Sequence, residues 1–157
     1  MTVRRRHAMR AVVQRVASAR VEVDGNVTGS IGPGLVVLLG IRRGDGEEEA
    51  RYLSEKVLDL RIFPDDKHSM NRSIREAGGQ VLLVSQFTLY GDARKGRRPS
   101  FDRAEAPERA QQIYRRFVEL LTAAQFRPEE GVFGAHMQVH LQNDGPVTIL
   151  LDSDREF

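Results

Sequence analysis

The chain has 157 residues, of which 40% are hydrophobic and none is cysteine. This length suits one domain with its own core, and the lack of cysteine excludes both a disulfide framework and a thiolate metal site. A reducing, cytoplasmic setting fits such a composition. The formal charge is only +2, from 24 Lys and Arg against 22 Asp and Glu, so local patches must carry any argument for a nucleic-acid partner.

No stretch of the sequence predicts a membrane partner. The longest apolar run, residues 35–41, is far shorter than the roughly 20 residues that a membrane span needs. The basic start of the chain is not followed by the apolar segment of a signal peptide. We predict a disordered basic arm over residues 1–8 and one folded domain over residues 9–153.

The first part of the chain predicts strands followed by a helix. Residues 9–16, 19–23 and 27–31 have strand composition, and Asp24-Gly25-Asn26 suits a hairpin between the last two. Residues 35–41 are apolar at almost every position, which is typical of a central strand. A helix is predicted next, with Asp45 as its N-cap and Ala50, Leu53 and Val57 on its buried face.

The rest of the chain predicts more strands and a second helix. Residues 61–63 are a candidate short strand, residues 81–84 a strand buried on both faces, and residues 91–103 a loop. Pro107 suits the first turn of a helix. Residues 132–141 and 147–151 predict two strands joined by a turn that contains Gly145 and Pro146. The predicted fold is α/β (α+β): a single domain with a mixed, largely antiparallel sheet curled toward a barrel and two packed helices.

Candidate chemistry begins where the strand at residues 81–84 runs into Ser85, Gln86 and Thr88. The alternation of side chains along a strand places Ser85 and Thr88 on opposite faces unless the strand ends near Phe87. The alternative is that both hydroxyls only satisfy backbone groups at a strand end.

The usual machinery of a serine hydrolase is not evident. Ser85 lacks the Gly-x-Ser-x-Gly elbow, and the chain has only four histidines. In a strand, His136 and His140 would lie on one face roughly 13 Å apart, too far for one metal ion. We therefore predict no metal site.

A basic loop follows the polar segment. Four cations fall within five residues: Arg94, Lys95, Arg97 and Arg98. Clustered cations suit a phosphate backbone, although such runs also occur as solvated surface. The flanking Tyr90 and Phe101 are candidates for stacking on an unpaired base, or for the core.

Two motifs resemble those of the D-aminoacyl-tRNA deacylases, the D-tyrosyl-tRNA deacylase family. Ser85-Gln86-Phe87-Thr88-Leu89 is similar to the Ser-Gln-x-Thr-Leu signature of that family. Asn143-Asp144-Gly145-Pro146-Val147-Thr148 is similar to its Gly-cisPro motif. The resemblance extends over residues 9–152 and includes the basic loop.

This resemblance implies a cytoplasmic homodimer that needs no cofactor and binds tRNA rather than DNA. Its implied reaction is hydrolysis of the ester between a D-amino acid, or glycine mischarged on tRNA-Ala, and the 3′-terminal adenosine. Gly145 and Pro146 of one subunit would enter the partner's site and reject L-amino acids sterically. Arg15 would hold that motif in its cis form, and Met137 would line the pocket.

The resemblance also implies a catalytic segment made of Ser85, Gln86, Phe87 and Thr88. The reaction resembles an RNA-assisted one, in which the 2′-OH of the terminal adenosine activates water and the protein orients the substrate. Thr88 as a nucleophile is the competing mechanism, and it lacks an adjacent base in the sequence.

Two functions of other classes remain alternatives. The basic loop alone would support an RNA-binding module without catalysis, which multiple-turnover deacylation would exclude. Hydrolysis of small acyl esters without RNA would support an esterase that uses its own side chains.

Overall fold

The computed structural model describes residues 8–157, so the first seven residues of the predicted basic arm lie outside it. Ala8, which the prediction placed in that arm, is buried. Along the described residues the strands are β1 (Arg10–Val23), β2 (Asn26–Ile31), β3 (Gly34–Gly40), β4 (Gln80–Ser85), β5 (Glu129–Glu130) and β6 (Gln138–Asp152). The helices are α1 (Glu47–Asp59), α2 (Ile74–Ala77) and α3 (Pro107–Ala123), with a 3₁₀ turn at Phe87–Tyr90.

The sheet is organised around the long strand β1. One edge of β1 pairs with β6, and the other pairs first with β3 and then with β2, all antiparallel. Strands β3, β4 and β5 continue the sheet in parallel. β5 returns to β2, where the hydroxyl of Thr28 donates to the carbonyl of Glu130 over 3.2 Å. The sheet therefore curls toward a barrel, which confirms the predicted fold class.

Strands β3 and β4 are buried on both faces, as their continuous apolar runs predict. Leu35, Val37 and Leu83 belong to the larger core cluster, which includes the helices. Val36 and Leu82 belong to a second cluster inside the curled sheet. Burial on both sides therefore makes β4 a rigid platform for the residues that follow it.

The two long helices pack together over the larger cluster. α1 buries Ala50, Leu53 and Val57, as predicted. α3 starts at Pro107 and buries one face at helical spacing, made of Ala110, Ile113, Tyr114, Phe117, Val118 and Leu121. The third helix, α2, is a single turn, which Ser73 and Glu76 cap reciprocally. No helix in residues 8–157 is long and apolar enough to cross a membrane.

Some local predictions were wrong. The N-cap of α1 is Gly46, not Asp45; the buried Asp45 carboxylate instead accepts the backbone N–H of Arg42 over 2.6 Å. Of residues 61–63, only Phe63 makes a bridge, to Arg72.

The strand boundaries in two regions were also wrong. The two strands predicted before residue 24 are one strand, β1, whose pairing with β6 shifts register twice. Residues 132–137 are not a strand, and β6 runs without interruption through Gly145 and Pro146. Gly145 and Pro146 lie in a bulge rather than in a hairpin turn, because the parts of β6 before and after them both pair with β1.

Candidate active site

The polar segment begins where β4 ends. Ser85 is the last residue of β4, and the N–H of Gln86 donates to the carbonyl of Leu39 over 2.8 Å before the chain turns into the 3₁₀ helix. The absence of a side chain at Gly40 allows this turn to pack on β3, because a Cβ there would lie 2.9 Å from the Tyr90 ring. The strand thus ends before Phe87, which removes the alternation that would separate Ser85 from Thr88.

Tyr90 anchors the other end of the turn. Its hydroxyl lies 3.0 Å from the carbonyl of Gly40 and also contacts the carbonyl of Ala8. Burial raises the pKa of Tyr90 far above its usual range, so the phenol stays protonated and can donate. The turn is therefore held from both β3 and the start of β1.

Within the described chain, no base is hydrogen-bonded to the side chain of Thr88. Its side chain is exposed, and the side-chain amide of Gln86 donates to its hydroxyl over 2.7 Å. An amide donor cannot take a proton from that hydroxyl, so this contact orients Thr88 without activating it.

A cavity of about 630 Å³ opens beside Ser85 and Phe87. Its apolar wall includes Phe87, Phe101, Phe133 and Met137, and the rings of Phe87 and Phe101 meet edge to face with centroids 5.1 Å apart. Phe87 is 57% exposed. An apolar pocket with few polar groups is typical of a small-molecule or acyl-group site. The structure thus brings together Ser85, Phe87 and Met137, whereas Gln86 and Thr88 do not line this cavity.

The prediction missed two charged residues of the cavity wall, Arg43 and Glu105. Glu105 is already engaged, because its oxygens accept the N–H groups of Gly44 and Ala106, and Arg109 Nε lies 3.6 Å from Oε2. No periodicity or motif marks it in the sequence, since it lies in the loop before α3. Its contacts are those of a residue that fixes the start of the helix beside the cavity.

Gly145 and Pro146 lie elsewhere on the same chain. They are exposed, they are joined by a cis peptide bond, and they do not line the cavity. The side chain of Asn143 spans the base of the bulge, accepting the N–H of Val147 over 2.7 Å and donating to its carbonyl over 3.0 Å. The bulge is therefore a well-held projection on the protein surface.

Arg15 lies opposite the bulge on β1. Its Nε donates to the carbonyl of Asp144 over 2.9 Å, and its Nη1 donates to the carbonyl of Ile62 over 2.6 Å. Arg15 thus ties the bulge to the chain segment that follows α1.

The basic loop lies close along the chain to the 3₁₀ turn. Its base is closed by two backbone hydrogen bonds between Asp92 and Ser100. Arg94 is paired with Asp92, at 2.9 Å from Nε and 2.7 Å from Nη2. Lys95, Arg97 and Arg98 are exposed and have no ion pair with any residue in 8–157.

The described residues offer no group of three or more His, Asp or Glu side chains that could hold a metal ion. Within residues 8–157, His140 is 3.5 Å from Glu22 and interacts with Arg20, on the outer side of β6. His136 lies before that strand.

Comparison with known proteins places these features in a family. The family model described as D-Tyr-tRNA(Tyr) deacylase matches residues 12–152. A D-aminoacyl-tRNA deacylase of Symbiobacterium thermophilum is 63% identical over 149 residues, covering 95% of this chain and 99% of the relative. The enzyme of the same name from Koribacter versatilis is 58% identical, covering 95% and 100%.

Solved structures have the same fold. One described as the c-Myc DNA unwinding element binding protein is 44% identical, with a TM-score of 0.84 over 90% of this chain and 97% of that one. Another, described as a probable eukaryotic D-amino acid tRNA deacylase, is 20% identical, with a TM-score of 0.81 over 92% and 99%. At that identity the second likeness concerns the fold alone.

Proposed function

The chain belongs to the D-Tyr-tRNA(Tyr) deacylase family, and from this membership we propose that it is an editing hydrolase that cleaves the ester bond of D-aminoacyl-tRNA. The observation that carries the proposal is the family match over residues 12–152, which includes both the Ser85 segment and the bulge. The apolar cavity beside Ser85 and Phe87 supports it, because such a cavity suits the aminoacyl group.

The test is to incubate the protein with D-Tyr-tRNA and L-Tyr-tRNA in parallel and to measure the rate of deacylation. We expect repeated turnover of the D substrate and little hydrolysis of the L substrate. Binding of both without turnover would instead indicate an RNA-binding module. Hydrolysis of a free tyrosine ester at a comparable rate would indicate an esterase that does not need RNA.

Chiral selection is proposed to come from Gly145 and Pro146 of a partner subunit, which would enter the cavity mouth and exclude an L side chain. Both residues are exposed and neither lines the cavity of its own chain, which supports a role across subunits. The contacts of Arg15 and Asn143 support a rigid filter rather than a mobile loop. Glycine, which has no side chain to reject, would also be accepted, including glycine mischarged on tRNA-Ala.

A homodimer is supported by the surface of the described chain. Strand β6 pairs with β1 along one edge only, and Val139 and Leu150 on β6 are exposed. Phe87 is a further exposed apolar side chain, and a second copy can cover such side chains. We propose that the dimer acts in the cytoplasm on tRNA.

The proposed reaction uses the 2′-OH of the terminal adenosine to activate water. Support comes from the surroundings of Thr88, whose side-chain partner is a donor, and from Glu105, whose oxygens are engaged elsewhere. The protein would then contribute binding and orientation, which can account for a large part of a rate enhancement.

A further inference from the structure

A second pocket, of about 200 Å³, lies beside the 3₁₀ turn and has a strongly cationic lining. Three arginines contribute to it, against a single carboxylate. The lining residues are Arg10, Tyr90, Gly91, Asp92, Ala93, Arg94 and Arg103.

The carboxylate in this pocket is neutralised by one of the arginines. Asp92 accepts from the backbone N–H and from two side-chain nitrogens of Arg94. The Arg94 side chain holds the pKa of Asp92 well below its usual range, so Asp92 stays ionised and the pair carries no net charge.

The other two arginines leave the pocket positive. Arg10 donates to the carbonyl of Leu89, and its Nε lies 3.8 Å from Asp152 Oδ2, which compensates part of its charge. The Nε of Arg10 is nevertheless buried without a hydrogen-bond acceptor. The half-buried Arg103 has no side-chain hydrogen bond or ion pair with any residue in 8–157. Arg103 therefore offers an unpaired guanidinium to an anion in the pocket, and Arg10 adds positive charge beside it.

The pocket and the apolar cavity have walls built in part from the same two chain segments, residues 85–94 and 101–107. Phe87, Phe101 and Ala104 face the cavity, whereas Tyr90, Gly91 and Arg103 face the pocket. The two segments of the wall pack closely, since a Cβ on Gly91 would lie 3.3 Å from the Phe101 ring. In an aminoacyl-tRNA, the ribose that carries the ester also carries the 5′-phosphate of the terminal nucleotide.

We propose that this pocket binds a phosphodiester of the RNA acceptor end, with Arg103 as its main ligand and Arg10 beside it. The proposal rests on the proposed function, because it requires the ester to lie in the cavity. Guanidinium groups bind phosphate with strong, directional hydrogen bonds. Binding here would fix the terminal ribose and so aim the ester at the Ser85 segment.

The first experiment uses small probes, so that it does not depend on deacylation. Chemical shifts of the arginine Nε–H groups are followed by NMR as cytidylyl-(3′→5′)-adenosine, adenosine or inorganic phosphate is added. We expect the dinucleotide to shift Arg10 and Arg103, and adenosine to leave both unchanged. A response to inorganic phosphate without one to the dinucleotide would overturn the proposal and indicate a site for free phosphate.

The second experiment compares Arg103→Ala, Arg103→Lys and the control Arg127→Ala, an exposed arginine outside both pockets. We expect Arg103→Ala to weaken tRNA binding about 10-fold and to reduce the slope of log affinity against log salt by about 0.7, the value for one single-strand phosphate contact. Arg103→Lys should retain most of the salt slope, and Arg127→Ala should retain both affinity and slope. Thermal unfolding of each variant checks that the fold is intact.

If Arg103→Ala and Arg127→Ala bind tRNA equally, and the dinucleotide leaves the NMR signals of Arg103 in the unmodified protein unchanged, the phosphate site is refuted. That result would not refute the proposed deacylase function. Conversely, a protein that binds the dinucleotide at Arg103 but does not deacylate D-Tyr-tRNA would refute the proposed function and retain the site.

Discussion

At the residue scale, the hydroxyl of Thr88 separates the two mechanisms. It accepts from Gln86, and no base in residues 8–157 is hydrogen-bonded to it. We predict that Thr88→Ala loses only a modest part of the deacylation rate, whereas tRNA ending in 2′-deoxyadenosine is nearly inert with the unmodified enzyme. General acid–base assistance is typically worth about 10² to 10⁴-fold, so single-turnover rates will distinguish the two losses.

Glu105→Gln tests the carboxylate of the cavity wall in the same assay, because it removes the negative charge and keeps one of the two oxygens that accept backbone N–H groups; thermal unfolding checks that the fold is intact. The variant should retain most of the rate. An inactive Thr88→Ala protein that binds tRNA normally, with full activity on the 2′-deoxy substrate, would establish Thr88 as the nucleophile instead.

Another residue-scale prediction concerns stability and Asp45. Burial raises the pKa of Asp45 to about 7 from an ordinary value of 3.8, with Glu49 and Asp154 nearby adding to the shift. The folded state therefore holds a proton that the unfolded state releases, and stability falls as pH rises from about 4 to 7. The slope is at most about 1.4 kcal/mol per pH unit.

Asp45→Asn removes this titration and can still accept the N–H of Arg42 through its side-chain oxygen. Urea unfolding across this pH range should show a flatter profile for the variant than for the unmodified protein. Parallel profiles would mean that Asp45 titrates alike in the folded and unfolded states.

At the scale of the element, we propose that the exposed cations of the basic loop bind phosphates of the tRNA. Asp92 neutralises Arg94, so Arg97 and Arg98 are expected to contribute more. We predict that replacing both with alanine weakens tRNA binding for all sequences and reduces the salt slope by up to about 1.4, at about 0.7 per contact. The preference for D over L substrate should persist, because Arg97 and Arg98 do not line the apolar cavity.

The control for this pair replaces Lys56 and Arg127, two exposed cations outside the loop, with alanine. If both double variants show the unmodified salt slope, the loop is only solvated surface.

At the scale of the whole molecule, the unpaired edge of β6 and the exposed Leu150 support self-association. We predict that the protein sediments as a dimer and that Leu150→Glu shifts it toward monomer, because a charge at an apolar interface must be desolvated. The monomeric variant should lose discrimination between D- and L-Tyr-tRNA, because the filter comes from the partner.

Arg127→Ala is the control for a surface substitution. Its oligomeric state is measured by analytical ultracentrifugation and its chiral selectivity by deacylation, as for Leu150→Glu. A monomeric unmodified protein with full chiral selectivity would exclude a site shared between subunits.

Much of the fold was predictable from short stretches of sequence. The continuous apolar runs of β3 and β4 predict strands that are buried on both faces. The helical spacing of Ala50, Leu53 and Val57 identifies the buried face of α1. The abrupt change to polar residues after Val84 likewise indicates the end of β4 at the candidate site. These features are local, so they do not depend on which distant segments pack against them.

Only the tertiary structure decided how distant segments meet. Gly145 and Pro146 have the composition of a hairpin turn, but β1 pairs with β6 on both sides of them and makes the segment a bulge. The cavity wall joins Phe101 and Glu105 to Phe133, residues with no shared periodicity, and the cationic pocket joins Arg10 to Arg103, which are far apart in the sequence. The sequence by itself determined which residues must be buried, whereas long-range strand pairing decided which exposed and half-buried residues share a site.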